Sequence, residues 1–133
     1  CSTVTDSRID IRNISAALSF VNNCFRNEKQ EKFKVICIDS GFHIKSVTDI
    51  SAGGARFTPV DFRELTKAVL NSGTDIVILA HNHPSGVAEP SSADEMLTRN
   101  LKSALALVDV RVLDHFIVAG NAQPLSFAER GLL

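Results

Sequence analysis

The stretch DIVILAHNHPSGVAEPSSAD, residues 75–94, decides how this sequence folds. Its first part, residues 75–80, is a continuous apolar run, which is typical of a β-strand covered on both faces. A loop with two prolines and a glycine follows, and a helical pattern then runs from Ser91 or Ser92 to Val108. The stretch therefore predicts a strand, a loop and a helix, which is the repeating unit of α/β domains.

Apolar spacing and turn residues extend this pattern over the rest of the chain. The first half of the chain is predicted to form a helix over about 10–28, with apolar positions from Ile11 to Phe25, and a hairpin of two strands over 31–39 and 42–51. A helix opened by Thr58-Pro59 follows. The second half is predicted to form a strand over 75–80, a helix from 91 or 92 to 108 and a strand over 110–120. Residues 1–9 are expected to be loose. The order α, ββ, α, β, α, β predicts a single α/β domain over residues 1–133, with one mixed sheet flanked by helices.

Three apolar stripes are expected to face the core of this domain. They are Ile14, Leu18, Val21 and Phe25 in the first helix, Phe62, Leu65, Val69 and Leu70 in the second, and Met96, Leu97, Leu101, Leu105 and Val108 in the third.

Composition excludes several classes of protein. With 133 residues, 44% of them apolar and 22% charged, the chain resembles an ordinary globular domain. The net charge of -1 argues against a global basic field for nucleic acid. A local basic patch that includes Lys29, Lys32 and Lys34 is not excluded by the net charge. We expect no membrane helix and no signal peptide. The three cysteines form no CxxC pair, which favours reduced thiols and a cytoplasmic location.

Two histidines stand where the buried strand enters its loop. Alternate strand residues share a face, so His81 and His83 are expected to project together and to share one metal ion. Asp94 follows eleven residues after His83, in the first turn of the next helix. Two histidines and one carboxylate leave a coordination position open, as in catalytic zinc sites. The alternative is that Asp94 only starts the helix, because Ser91-x-x-Asp94 resembles a capping box, as does Ser92-x-x-Glu95.

A hydrolytic metal site also needs a general base. The candidate glutamates are Glu28, Glu31, Glu64, Glu89 and Glu95. We favour Glu31, because it is predicted to start a strand that would hold it rigidly at the sheet edge. A solvated charge at a strand end is the alternative.

These residues resemble a known family. The pattern His81-x-His83-Pro84, six residues, Ser91, two residues, Asp94 is similar to the JAMM motif of the MPN metalloproteases. The longer string AHNHPSG…PSSAD, together with LDH at 113–115, resembles the bacterial RadC family more specifically. The likeness extends from about Glu31 to Ser126.

The resemblance implies a cytidine-deaminase-like α/β sandwich and a bound Zn²⁺. His81, His83 and Asp94 would hold the metal. Ser91 would hydrogen-bond the oxyanion or the bound water. The family's glutamate would fall on Glu31, with Glu64 as the fallback. Asp114 and His115 would have a structural role or support the metal ligands.

The implied function is a zinc metallopeptidase, a hydrolase that uses an activated water to cleave a peptide or isopeptide amide bond. The natural peptide or protein substrate is left open, as is assembly into a homodimer. The alternative is a RadC-like accessory module in DNA repair or mobile-element biology, and a third reading is a domain that keeps zinc for stability alone. RadC proteins usually carry an N-terminal helix-hairpin-helix segment, whereas one helix is predicted here before the JAMM-like region. Weak DNA binding at most is therefore expected.

Overall fold

The computed structural model describes residues 14–50, 60–120 and 123–133. Within these ranges the helices are α1 (Ile14–Cys24), α2 (Phe62–Ser72) and α3 (Ser92–Ala106), and the strands are β1 (Phe33–Ile38), β2 (Ile44–Ile50), β3 (Ile76–Asn82), β4 (Arg111–Val118) and β5 (Leu125–Ser126). The strands form one sheet in the order β2-β1-β3-β4-β5. Strands β3 and β4 run parallel, and the other neighbours are antiparallel. The predicted α/β architecture with a mixed sheet is confirmed.

The sheet is covered by helices on both faces. One face carries a core cluster that includes Val77 and Leu79 of β3 together with side chains of α2 and α3. The opposite face carries a second cluster, in which Ile78 and Ala80 of β3 pack with side chains of α1. Because alternate residues of β3 enter different clusters, His81 continues the side of α2 and α3, and Asn82 continues the side of α1.

The helix boundaries differ from the predictions. Helix α1 ends at Cys24 rather than near residue 28, and Asn27 has a left-handed φ of 70° that a helix cannot continue. Helix α3 ends at Ala106 rather than Val108. The N-cap of α2 is Asp61, whose side chain accepts backbone hydrogen bonds from the first turn, so α2 begins at Phe62. The predicted start at Thr58-Pro59 lies outside the described residues.

The predicted apolar stripes are correct at their centres and wrong at their margins. Val21, Phe25, Leu65, Val69, Leu101 and Leu105 are buried, whereas Phe62, Leu70, Met96 and Val108 are exposed. Leu70 follows Val69 by about 100° around the helix, so it points away from the stripe. Phe62 is the first residue of α2, Met96 is the fifth residue of α3, and Val108 lies beyond the end of α3. The side chain of Ile14 lies outside the described part of the chain.

The composition also predicts reduced thiols and no membrane helix. Cys37 is a free thiol buried in the core, and Cys1 is outside the described residues. Among the helices that the structure describes, none combines the length and the apolar character needed to cross a membrane.

Candidate metal centre

The two histidines meet at the carboxyl end of β3. His81 is buried, and His83 follows β3 and is partly buried. Their Nε2 atoms are 3.0 Å apart. Phe33 of the neighbouring strand β1 pairs with His81 in the sheet register and stacks on its ring. The strand therefore places both imidazoles on one face, as their spacing predicts.

Asp94 reaches the histidines from the first turn of α3. Its Oδ1 is 3.5 Å from Nε2 of His81, and its Oδ2 is 3.3 Å from Nε2 of His83. The same carboxylate accepts a hydrogen bond from the backbone N–H of Ser91, while Ser91 Oγ accepts one from the N–H of Asp94. Asp94 therefore closes a capping box and faces the histidines at the same time. The two interpretations of the motif are compatible, because one cap fixes the carboxylate that points to the histidines.

Glu31 lies close to the two histidines. Its carboxylate and one ring nitrogen each of His81 and His83 all lie within 4.8 Å of one another, a group able to hold a metal ion. Glu31 is exposed and lies two residues before β1, so the prediction that it starts the strand is wrong. Glu64, the fallback base, is exposed in the first turn of α2 and is absent from that group of described residues.

A buried hydrogen-bond chain links His81 to the backbone of Asp94. Nδ1 of His81 is 2.8 Å from Nε2 of His115, and Nδ1 of His115 is 2.6 Å from Oγ1 of Thr98. The Thr98 hydroxyl donates to the carbonyl of Asp94 at 2.9 Å. Thr98 and His115 are fully buried. Residues from β3, β4 and α3 thus form a chain that connects two of the candidate ligands.

The Thr98 hydroxyl sets the direction of this chain, because it has a single proton. That proton is donated to Asp94, so Thr98 accepts from Nδ1–H of His115. Burial lowers the pKa of His115 well below its ordinary value, so its ring is neutral and its Nε2 accepts. His81 must then donate its Nδ1–H to His115. As a result, a neutral His81 presents a bare Nε2 lone pair to Asp94 and His83.

A separate contact orients His83 in the same way. The turn from His83 to Gly86, whose φ of 91° suits glycine, returns the chain so that Val87 O lies 2.9 Å from Nδ1 of His83. A carbonyl only accepts, so His83 donates its Nδ1–H. Its Nε2 is therefore also left as a lone pair that faces His81.

The electrostatics of this arrangement fit a cation. When a proton lies on Nε2 of His81, its hydrogen bond to Asp94, together with the backbone N–H of Ser91, holds the pKa of Asp94 well below its ordinary value, so Asp94 is an anion at neutral pH. Two lone pairs and a carboxylate repel one another unless a positive charge lies between them; a proton on Nε2 of His81 or a metal ion can supply it.

The spacing of the donor atoms gives a second test. Two nitrogens bound at about 2.0–2.1 Å to one tetrahedral Zn²⁺ are separated by roughly 3.3 Å. The observed separation of the two Nε2 atoms is 3.0 Å, and the carboxylate contacts are 3.3 and 3.5 Å. The three side chains fit a shared zinc ion.

Asp114 and Phe127 support His115 from behind. Asp114 accepts hydrogen bonds from the backbone N–H of His115 and of Ala128 and from the Ser126 hydroxyl, and burial raises the pKa of its carboxyl. These bonds attach the tail that follows β4. Phe127 of this tail is fully buried and stacks on the His115 ring, with centroids 4.5 Å apart. The LDH stretch therefore supports a candidate ligand and does not contribute one itself.

A polar groove opens beside the candidate centre. It has a volume of about 620 Å³ and lies between the end of α1 with its following turn and the loop after β3. His83 and Asn82 form part of its wall, together with Asn22, Arg26 and Lys29. Among the candidate ligands His83 lines this groove, so a segment bound there would contact His83.

Comparison with known proteins identifies the family. The model of the RadC-like JAB domain matches residues 11–132. The chain belongs to this family. A UPF0758 protein of Dechloromonas aromatica is 58% identical over 103 residues, covering 77% of this chain and 46% of that protein. UPF0758 proteins of Idiomarina loihiensis and Stenotrophomonas maltophilia are 45% and 42% identical, over 86% and 91% of this chain and 50% and 51% of those proteins. This RadC-like JAB domain thus spans about half the length of these curated relatives.

Tertiary structure reveals supporting residues that the sequence did not single out. Thr98 is part of a predicted helix, but no local signal marks it as a partner of a histidine 17 residues away. Asn82 stands between the two histidines and was assigned no role. Alternate residues of a strand point to opposite faces, so Asn82 is expected on the face opposite to His81 and His83. This alternation is the signal in the sequence from which a separate role for Asn82 could be predicted.

Proposed function

We propose that this RadC-like JAB domain is a zinc-dependent hydrolase that cleaves a peptide or isopeptide amide bond. One observation carries the proposal: the Nε2 lone pairs of His81 and His83 and the Asp94 carboxylate converge, with Glu31 beside them. Membership of the JAB family supports metal-dependent hydrolysis in general. Hydrolytic activity in this chain, the identity of the metal and the amide substrate are what we propose.

His81, His83 and Asp94 would hold the ion. A bound Zn²⁺ supplies a Lewis acid that polarises a carbonyl group and lowers the pKa of a water molecule. The hydrogen bonds from Nδ1 of each histidine, to His115 and to Val87, would keep both Nε2 atoms available to the ion. Loss of either bond would leave a ring free to turn away.

Glu31 is the proposed general base. It is close to both histidines but exposed, so its carboxylate can take a proton from water and pass it to the departing amine. The new C–O bond forms first and turns the carbonyl oxygen into an oxyanion; the C–N bond then breaks, and the amine leaves with the proton that Glu31 carried. Glu31 binds one proton from water and releases it to the amine, so its own charge is restored at the end of the reaction.

Ser91 is the proposed partner of the developing oxyanion. The capping bond uses a lone pair of its Oγ as an acceptor for the N–H of Asp94. The hydroxyl proton can therefore be donated to a substrate oxygen, which stabilises negative charge as it develops. Ser91 is exposed beside the candidate centre, as this role requires.

The first experiment measures zinc in protein purified without added metal. We expect one zinc per chain for the wild type and little for His83→Ala. His43→Ala is the matched control, because His43 is a half-exposed histidine at the start of β2, paired with Asp39 and distant in sequence from the site. Equal zinc in the wild type and His83→Ala would refute the site.

The second experiment separates the base from the ligands. We expect Glu31→Gln to keep its zinc and to lose hydrolysis by at least about 100-fold, the usual contribution of a general base. Peptide and isopeptide libraries read by mass spectrometry supply the substrates, and Glu64→Gln is the control. Full activity in Glu31→Gln with loss in Glu64→Gln would transfer the role to Glu64.

A further inference from the structure

Asn82 makes contacts that its neighbours His81 and His83 do not make. It is buried, and alternation along β3 turns it away from the candidate centre toward the side of α1. There it faces the segment before β1, because the register that pairs Phe33 with His81 places Lys32 opposite Asn82. This segment carries Glu31.

The Asn82 carboxamide binds on both sides of Glu31. Its Oδ1 accepts a hydrogen bond from the backbone N–H of Lys32 at 2.6 Å, and its Nδ2 donates to the carbonyl of Gln30 at 3.0 Å. The backbone N–H of Asn82 also donates to the carbonyl of Lys32 at 3.4 Å. The Asn82 side chain therefore binds the backbone immediately before and immediately after Glu31.

These bonds constrain the backbone of Glu31 directly. The Gln30 carbonyl belongs to the peptide plane that precedes the Glu31 Cα, and the Lys32 N–H belongs to the plane that follows it. Each peptide unit is planar, so holding both planes holds φ and ψ of Glu31 and hence the direction of its Cα–Cβ bond. An exposed residue outside any strand thus has a fixed starting direction for its side chain.

Asparagine suits this task because it offers one donor and one acceptor on a short side chain. Aspartate keeps the acceptor for Lys32 but places an anionic oxygen against the Gln30 carbonyl. Alanine leaves both backbone groups without their partner. The two bonds also define the amide orientation, since a flipped amide would set donor against donor and acceptor against acceptor.

We infer that Asn82 is the positioning residue for Glu31 and holds its carboxylate beside His81 and His83. The consequence for catalysis rests on the proposed function, whereas the backbone constraint does not. The central asparagine of the HNH stretch would then link the candidate base to the same strand that presents two candidate ligands. Movement of the base relative to the metal would be limited by one side chain.

The test uses Asn82→Ala, with Asn71→Ala as the control because Asn71 is an exposed asparagine of α2 that lies outside the groove lining and the Glu31 segment. Amide hydrogen exchange and ¹⁵N order parameters are measured in the metal-free and zinc-loaded protein. In Asn82→Ala we expect exchange at Lys32 to rise at least tenfold and the order parameter of Glu31 to fall from about 0.85 to below about 0.6. Zinc affinity should stay within threefold of the wild type, and Asn71→Ala should match the wild type in every measurement.

Unchanged exchange at Lys32 and an unchanged order parameter at Glu31 in Asn82→Ala would overturn the inference. If Asn82→Ala does not fold, Asn82→Asp decides: retained protection at Lys32 with lower order at Glu31 supports the constraint, and wild-type values at both refute it. Failure of the proposed function is seen separately, as absence of zinc binding or hydrolysis in the wild type. Where hydrolysis is found, kcat should fall in Asn82→Ala, with KM and zinc content unchanged.

Discussion

Replacement of Thr98 by valine tests the hydrogen-bond chain behind the candidate metal centre. Valine has the shape of threonine but lacks the hydroxyl that accepts from His115 and donates to the Asp94 carbonyl. Valine has two alternative consequences in this fully buried site. Either His115 keeps its Nδ1–H, which then lacks an acceptor, or His115 moves its proton to Nε2, so that His81 must accept at Nδ1 and carry a proton on Nε2, the atom that faces the metal.

Both consequences have a cost that can be estimated. A buried donor without a partner destabilises a protein by about 1–3 kcal/mol. Changes to groups that orient a metal-bound histidine weaken metal binding by about 10–100-fold, which corresponds to about 1.4–2.7 kcal/mol. We therefore expect Thr98→Val to bind zinc 10–100-fold more weakly than the wild type and to unfold at lower urea concentration without metal.

The assay combines affinity, stability and tautomer. Zinc affinity is measured by competition with a chromophoric chelator, stability by urea unfolding in excess chelator, and the tautomer of His81 by imidazole ¹⁵N NMR. Thr98→Ser keeps the hydroxyl and is the control; it should retain the Nδ1–H tautomer of His81 and zinc affinity within threefold. Wild-type zinc affinity together with an unchanged His81 tautomer in Thr98→Val would refute the reasoning.

Two further predictions concern the support of His115 and the binding of DNA. Phe127→Ala removes a fully buried ring that stacks on His115, and we expect a loss of about 3–5 kcal/mol in the free energy of unfolding; urea unfolding measures it, and a loss below about 1 kcal/mol would contradict the packing role. For DNA, the net charge of -1 and the pairing of Lys34 with Asp49 predict non-specific binding no tighter than about 10⁻⁴–10⁻⁶ M at physiological salt. Fluorescence titrations with duplex and single-stranded DNA at two salt concentrations check this, and nanomolar affinity that survives physiological salt would favour the DNA accessory module.

Local sequence is sufficient for the elements that carry the candidate ligands. The i, i+2 spacing of His81 and His83 depends only on the two-residue period of a strand, and the pairing of Ser91 with Asp94 depends only on the first turn of a helix. Both patterns are complete within a few residues, so they can be read before any tertiary contact is known. Element ends were less accurate, because Asn27 and Asp61 set them through single backbone conformations and caps.

Strand β5 shows where local patterns become too short. It consists of Leu125 and Ser126, and its place in the sheet depends on pairing with Phe116 and Ile117 of β4. Two residues have no periodicity to detect. The sequence therefore predicts no strand in the segment after β4, although this segment carries Phe127, whose ring packs on His115.

The supporting contacts of the site were decided by tertiary structure alone. His81 meets His115 across 34 residues through the parallel pairing of β3 with β4, and Asn82 reaches Gln30 across 52 residues through the antiparallel pairing of β1 with β3. A shift of either register by one residue would turn these side chains to the other face of the sheet. The sequence by itself determined which residue types stand at the end of β3, because strand and helix periods are local. Their partners depended on how distant strands align, which burial of both sheet faces selects and no short stretch of sequence specifies.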